Sequence, residues 1–115
     1  MTTEQIIPKA ASFFRVVGDD TRLHILTRLS DGECCVNDIA AAVLMEKSAV
    51  SHQLKKLKEE GLVKSRRAGK NVFYSLDDQH VVDILKIAFT HIEHKSHAEG
   101  CTCRECTEER HFDKR

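Results

Sequence analysis

The amino-acid sequence predicts a mainly helical domain with one small β-hairpin. Apolar residues recur at helical spacing along most of the chain, and two short strand-like runs flank a glycine-containing loop near residue 69. The 115 residues supply one compact core and little material for a second. Apolar residues make up 41% and charged residues 31%, with no apolar run long enough to cross a membrane, so we expect a soluble protein.

Three short helices are predicted in the first 45 residues. The first runs from about Glu4 to Val17. The second begins at Asp20 or Thr21, either of which can cap it, and ends at Asp31-Gly32. The third covers roughly residues 36–44. Helices this short are unstable alone, so we expect them to pack together.

A fourth helix and a hairpin follow. Ser48 can cap a helix that Gly61 stops, and its distance from the third helix is typical of a helix-turn-helix. Two strand-like runs, 62–67 and 71–76, are separated by the three-residue loop Ala68-Gly69-Lys70, which predicts a β-hairpin. This order of elements predicts a winged helix-turn-helix.

The last predicted helix begins at Asp77 or Asp78 and reaches about His94. The chain beyond it is polar and shows no core-forming pattern. We therefore expect residues 1–95 to form the folded domain and residues 96–115 to form a flexible tail containing Cys and His.

Basic residues concentrate in the fourth helix and the hairpin. The 18 basic and 18 acidic residues cancel overall, but residues 47–75 carry 8 basic and 2 acidic ones. A basic helix face can be merely solvated, yet its place before a basic hairpin favours entry into the major groove of double-stranded DNA. The predicted DNA contacts are Ser51, His52, Lys55 and Lys56 on the helix and Arg66, Arg67 and Lys70 on the hairpin.

The last helix carries a set of metal-ligand side chains. A lone histidine is more often a surface residue, but His80, His91 and His94 lie within about 60° on a helical wheel, with Asp78 at the helix start. His80 and His91 are about 16 Å apart along one helix, so one ion cannot join them. Two helices crossing antiparallel in a homodimer would form two sites of three nitrogens and one carboxylate. Such a set suits tetrahedral Zn(II), with Co(II) as a substitute, in a structural or sensory role.

These segments resemble the ArsR/SmtB family of metal-responsive winged-helix repressors, from about the first helix to His94. The resemblance rests on three matches. They are Glu33-Cys34-Cys35-Val36-Asn37-Asp38-Ile39 to the family's E-L-C-V-x-D-L box, Ser48-Ala49-Val50-Ser51-His52-Gln53-Leu54 to its recognition-helix signature, and the spacing of Asp78, His80, His91 and His94 to its last-helix zinc site.

The resemblance implies a homodimer, joined through its first and last helices, that represses transcription. It would bind operator DNA when metal-free and release it on binding Zn(II), which derepresses genes for metal efflux or sequestration. It also adds Lys47 and Ser48 to the groove contacts. The absence of an export signal predicts a cytoplasmic location without a membrane partner. No enzyme is expected, because neither a Ser/His/Asp arrangement nor an open metal site can be identified.

The five cysteines leave an alternative function open. The family's thiolate site on the third helix needs a second cysteine where Asn37 stands, so Cys34 and Cys35 are interpreted as small buried residues. The alternative is a thiol-based redox or soft-metal (Cd or Cu) sensor on the same scaffold. It would use a second metal or redox site at Cys101, Cys103 and Cys106.

Overall fold

The computed structural model describes the backbone of residues 1–100 and the side chains of residues 1–95. The predicted winged helix-turn-helix is confirmed. The elements in chain order are α1 (Thr3–Val17), α2 (Asp20–Ser30), β1 (Cys34–Cys35), α3 (Val36–Val43), α4 (Lys47–Glu59), β2 (Val63–Ala68), β3 (Asn71–Leu76) and α5 (Gln79–Gly100). The chain forms two compact units, one of residues 1–81 and one beginning at Val82.

The core of the first unit is built from the apolar faces of α2, α3 and α4 and from the strands. Its most deeply buried side chains are Ile25, Leu26, Leu29, Ile39, Val50, Leu54, Leu57, Leu62 and Val63. Removal of this apolar area from water is the main term that stabilises three helices too short to persist alone. Helix α1 is different, because none of its residues is buried.

Two predicted helix caps are wrong. Helix α2 is capped by Asp19, whose carboxylate accepts the backbone N–H of Arg22 at 3.1 Å, rather than by Asp20 or Thr21. Asp19 has the extended backbone that an N-cap requires, whereas Asp20 is already helical. Ser48 likewise lies inside α4 as its second residue, because the preceding turn is short enough for the helix to begin at Lys47.

The hairpin belongs to a three-stranded antiparallel sheet in the order β1-β3-β2. Strand β1, which was not predicted, pairs Cys34 with Tyr74 and Cys35 with Phe73. The predicted three-residue loop is also wrong, because Ala68 pairs with Asn71 and only Gly69-Lys70 forms the turn. Gly69 has φ +64°, and positive φ is what a two-residue hairpin turn demands.

Helix α5 begins directly after Asp78 and continues to Gly100, six residues beyond the predicted end near His94. No proline or glycine interrupts it before Gly100, so nothing in the backbone stops the helix earlier. The predicted tail of residues 96–115 is thus helical over 96–100, and residues 101–115 lie outside the described part. No helix within residues 1–100 combines the length and apolar character needed to cross a membrane.

Candidate functional site

Helix α4 presents a polar and basic face opposite the core. Val50, Leu54 and Leu57 point inward with no exposed surface. The i, i+4, i+7 spacing of these three residues turns the intervening positions outward. All six predicted DNA contacts of this helix are exposed, namely Lys47, Ser48, Ser51, His52, Lys55 and Lys56.

The turn between α3 and α4 sets where this face begins. Leu44 ends α3 with φ +58° and ψ +49°, the left-handed conformation that closes a helix within one residue. Its backbone N–H and that of Met45 both donate to the Ala40 carbonyl, the latter at 3.0 Å. The chain therefore reverses in three residues and starts α4 at Lys47.

Side-chain hydrogen bonds from two residues, Arg22 and Lys58, hold α4 in place. The Arg22 guanidinium donates from Nε to Oε1 of Gln53 on α4 at 3.0 Å and from Nη1 to the Val16 carbonyl of α1 at 3.2 Å. Lys58 Nζ donates to Ser65 Oγ on β2 at 2.8 Å. These bonds connect α2 to α1 and α4, and they connect α4 to β2. No pattern in the sequence signals these connections.

The hairpin of β2 and β3 is the wing of the fold. It carries the predicted cations Arg66, Arg67 and Lys70, all exposed. Arg66 is engaged within the chain, because its Nε and Nη2 donate to the two carboxylate oxygens of Glu33, each at 2.6 Å. Its guanidinium carbon lies 5.1 Å from the centre of the Phe73 ring. This guanidinium holds the pKa of the Glu33 carboxyl below its usual value, so Glu33 is an anion at neutral pH.

Two of the predicted metal ligands lie together at the start of α5. Asp78 Oδ2 is 3.5 Å from His80 Nδ1, and Asp78 Oδ1 accepts the backbone N–H of Val81 at 3.2 Å. The Val81 N–H, followed by His80, holds the pKa of the Asp78 carboxyl below its usual value. Asp78 is thus kept as the carboxylate that a metal requires.

His91 and His94 lie one turn apart on α5 and are exposed, as are Asp78 and His80. Within the part that the structure describes, a single chain brings no three His, Cys, Asp or Glu side chains together as metal ligands. The predicted site, in which each ion takes ligands from two chains, therefore stays a prediction.

The described cysteines differ in their surroundings. Cys34 is 3% exposed, and burial raises the pKa of its thiol, which makes it a poor ligand and nucleophile. Cys35 is only partly buried, at the N-cap position of α3, and its side chain makes no capping hydrogen bond. The predicted site at Cys101, Cys103 and Cys106 lies outside the described residues.

Known proteins with similar sequences are regulators of transcription. Residues 19–65 match the bacterial regulatory protein, arsR family. The chain is 46% identical over 90 residues to the HTH-type transcriptional regulator NmtR of Mycobacterium tuberculosis, covering 78% of this chain and 75% of NmtR. It is 45% identical over 83 residues to the transcriptional repressor SmtB homolog of Synechocystis sp., covering 72% of this chain and 63% of that protein.

Two further similarities extend the comparison. The cadmium resistance transcriptional regulatory protein CadC homolog of Staphylococcus aureus is 44% identical over 82 residues, covering 70% of this chain and 68% of that protein. The homodimeric winged helix-turn-helix DNA-binding domain of Mb0332 from Mycobacterium bovis superposes with a TM-score of 0.78 at 25% identity, over 84% of this chain and 92% of that one. With this fold and these identities, the chain belongs to the arsR family of bacterial regulatory proteins.

Proposed function

We propose that this protein is a metal-responsive transcriptional repressor in the cytoplasm, which binds operator DNA as a metal-free homodimer and releases it on binding Zn(II). The observation that carries the proposal is the exposed row of ligand side chains on and before α5. Asp78 and His80 are already adjacent there, and His91 and His94 follow one turn apart. Release of the operator would derepress genes for metal efflux or sequestration.

The exposed face of α4 supports the DNA-binding part of the proposal. Ser51 and His52 lie in the N-terminal half of the helix, the part of a recognition helix that meets base edges in the major groove. Lys47, Lys55 and Lys56 of α4 suit phosphate contacts, as do Arg67 and Lys70 at the wing tip. Such contacts fix the position of a protein on the duplex. The SmtB homolog of Synechocystis, a transcriptional repressor, supports repression as the outcome.

The chemistry of the donor set supports Zn(II) as the effector. Three imidazoles and one carboxylate form a tetrahedral set that leaves no position for a substrate water. One chain holds two ligands at each end of the row. Each ion would therefore join Asp78 and His80 of one protomer to His91 and His94 of the other. The name of the S. aureus relative, a cadmium resistance regulator, is consistent with a metal effector.

The proposed switch has a thermodynamic requirement. Zn(II) releases DNA only if it binds the conformation with weak DNA affinity more tightly than the conformation with strong affinity. By linkage, bound DNA then lowers the affinity for Zn(II) by the same factor, which is about 5- to 150-fold for typical couplings.

Titration of Zn(II) into the protein bound to a fluorescent duplex from its own promoter, followed by anisotropy, tests the proposal. We expect DNA release at about one ion per protomer. His91→Ala/His94→Ala should keep metal-free DNA binding and lose zinc-dependent release. His24→Ala serves as the matched control, because His24 is an exposed histidine on α2, 3.7 Å from Asp20.

Three results would contradict this assignment. A wild-type protein that does not bind the duplex would rule out the repressor function. Release that persists in the double variant but disappears on deletion of residues 96–115 would assign sensing to Cys101, Cys103 and Cys106. Equal loss of release in His24→Ala would show that the α5 histidines have no special role.

A further inference from the structure

The wing contains an ion pair that the proposed function does not use. We propose that Arg66 is a positioning residue, held by Glu33 across the sheet, which orients the wing for DNA binding and does not itself contact phosphate. This inference rests on the proposed function, because it concerns how the wing is presented to DNA. It also replaces the prediction that Arg66 is a direct DNA contact.

The geometry of the pair is that of a clamp. Two guanidinium nitrogens of Arg66 donate to two different oxygens of Glu33 at 2.6 Å, the parallel arrangement that only an arginine fork provides. The Phe73 ring, 5.1 Å from the guanidinium carbon, adds a cation–π contact. The bidentate geometry and the ring contact distinguish this pair from an ordinary surface ion pair, which has a single contact and contributes little.

The pair spans the whole width of the sheet. Arg66 lies on β2 directly opposite Phe73 on the central strand β3, and Phe73 pairs on its other side with Cys35 of β1. Glu33 immediately precedes β1, so the side chain of Arg66 reaches over the central strand to the far edge. The pair therefore adds a side-chain tie where β1 itself is only two residues long.

This position connects the wing to the helix-turn-helix. Strand β1 ends at Cys35 and α3 begins at Val36, with no residue between them. Fixing Glu33 against β2 consequently fixes the hairpin relative to the start of α3. Only two residue pairs, Arg67 with Val72 and Ala68 with Asn71, lie between the Arg66–Phe73 pair and the turn, so the clamp acts at the base of the basic tip.

The charge of the pair argues against a phosphate contact by Arg66. The Glu33 carboxylate neutralises the guanidinium and occupies the donors that would bind phosphate in the same bidentate way. A phosphate contact would have to break both bonds and leave Glu33 as an anion close to DNA. Arg67 and Lys70 remain as exposed wing cations without this restriction.

The test compares the affinity of four variants and the wild type for the same promoter duplex over a range of salt concentrations. The variants are Glu33→Gln, Arg66→Gln, Arg66→Lys and the double Glu33→Gln/Arg66→Gln. We expect each single variant to weaken binding by a similar factor, about three- to tenfold, with no further loss in the double. The slope of log affinity against log salt should stay at the wild-type value, because no phosphate contact is lost.

A phosphate contact by Arg66 would give the opposite pattern. Arg66→Gln would lower the salt slope by about 0.9, Arg66→Lys would bind almost as well as wild type, and Glu33→Gln would bind as well or more tightly. Any of these three results would overturn the proposal.

Amide hydrogen exchange of the free protein separates this inference from the proposed function. If the clamp exists, Glu33→Gln and Arg66→Gln both speed exchange in the pairing of β1 with β3, while the amides of α2 keep wild-type protection. Unchanged exchange in both variants would overturn the clamp even if the wild type binds DNA. A wild type that binds no DNA would instead end the proposed function, and the exchange rates would still decide whether the pair fixes the wing.

Discussion

Under the proposed function, Asp78 combines two roles in one carboxylate. One oxygen accepts the Val81 N–H as a helix cap, and the other faces His80 as a candidate metal ligand. Alanine at this position removes both roles, whereas serine keeps a capping oxygen and removes the negative ligand. We expect Asp78→Ala to lower the thermal midpoint of the apo protein and Asp78→Ser to leave it close to wild type.

Both Asp78 variants should differ in metal binding from a variant of the adjacent residue, Asp77. Both Asp78→Ala and Asp78→Ser should weaken Zn(II) binding by more than about tenfold, and both should alter the visible spectrum of the Co(II) form. Asp77→Ser is the matched control, because Asp77 is an exposed aspartate one residue earlier with no place in the proposed set. Wild-type zinc affinity in Asp78→Ser would remove Asp78 from the ligands.

The turn between α3 and α4 stores backbone strain in Leu44. Its φ of +58° is the one positive φ among the described non-glycine residues, and its side chain is 90% exposed and therefore gains little from burial. An L-residue pays about 1–2 kcal/mol for this conformation, which glycine adopts freely. Leu44→Gly should therefore raise the free energy of unfolding by about 0.5–1 kcal/mol, measured in urea.

Leu44→Ala distinguishes backbone strain from side-chain exposure. Alanine keeps the β-carbon that causes the strain and removes the exposed apolar atoms, so its stability should stay within about 0.5 kcal/mol of wild type. Equal stabilisation by alanine and glycine would contradict the backbone explanation.

The elements differ in how far sequence could predict them. The long apolar repeats of α1, α2 and α4 identify helices, because burial of one face stabilises a helix and leaves a periodic record. Strand β1 has no periodic sequence pattern, because its two residues form a strand only by pairing with β3. The helix starts were misplaced by one or two residues for a related reason: several polar residues can cap, and the turn geometry chooses among them.

Contacts between distant residues were beyond sequence reasoning. The Glu33 and Arg66 carboxylate–guanidinium pair joins residues 33 positions apart, and Arg22 reaches Gln53 over 31 positions. The basic character of the wing and the exposed histidines of α5 could be predicted, because each is a local pattern. That these histidines bind a metal stays a prediction. Which cations are already occupied within the chain depends on the sheet register, which the loop residues did not determine.

At the scale of the whole molecule, a single chain leaves an apolar surface of helix α1 exposed to solvent. Helix α1 has no buried residue, and the large side chains of Ile7 and Phe14 are 57% and 60% exposed. Seven residues apart, they share one side of the helix, which is the pattern of a helix that packs against a partner. We expect the partner to be a second copy of this chain, as in the homodimeric Mb0332 domain.

Ile7→Glu/Phe14→Glu tests this assembly, because each substitution places an unpaired charge in the proposed interface. Sedimentation equilibrium should show the dimer dissociation constant raised by at least about a hundredfold. Lys9→Glu is the control, since Lys9 lies about 200° from Ile7 on the same helix. This control variant should remain dimeric.

The monomeric variant should also lose high-affinity Zn(II) binding, because the proposed zinc sites take ligands from both protomers. This loss is expected although Asp78, His80, His91 and His94 are all intact. High-affinity zinc binding by a monomer would refute the shared sites, and a double variant that stays dimeric would place the interface elsewhere.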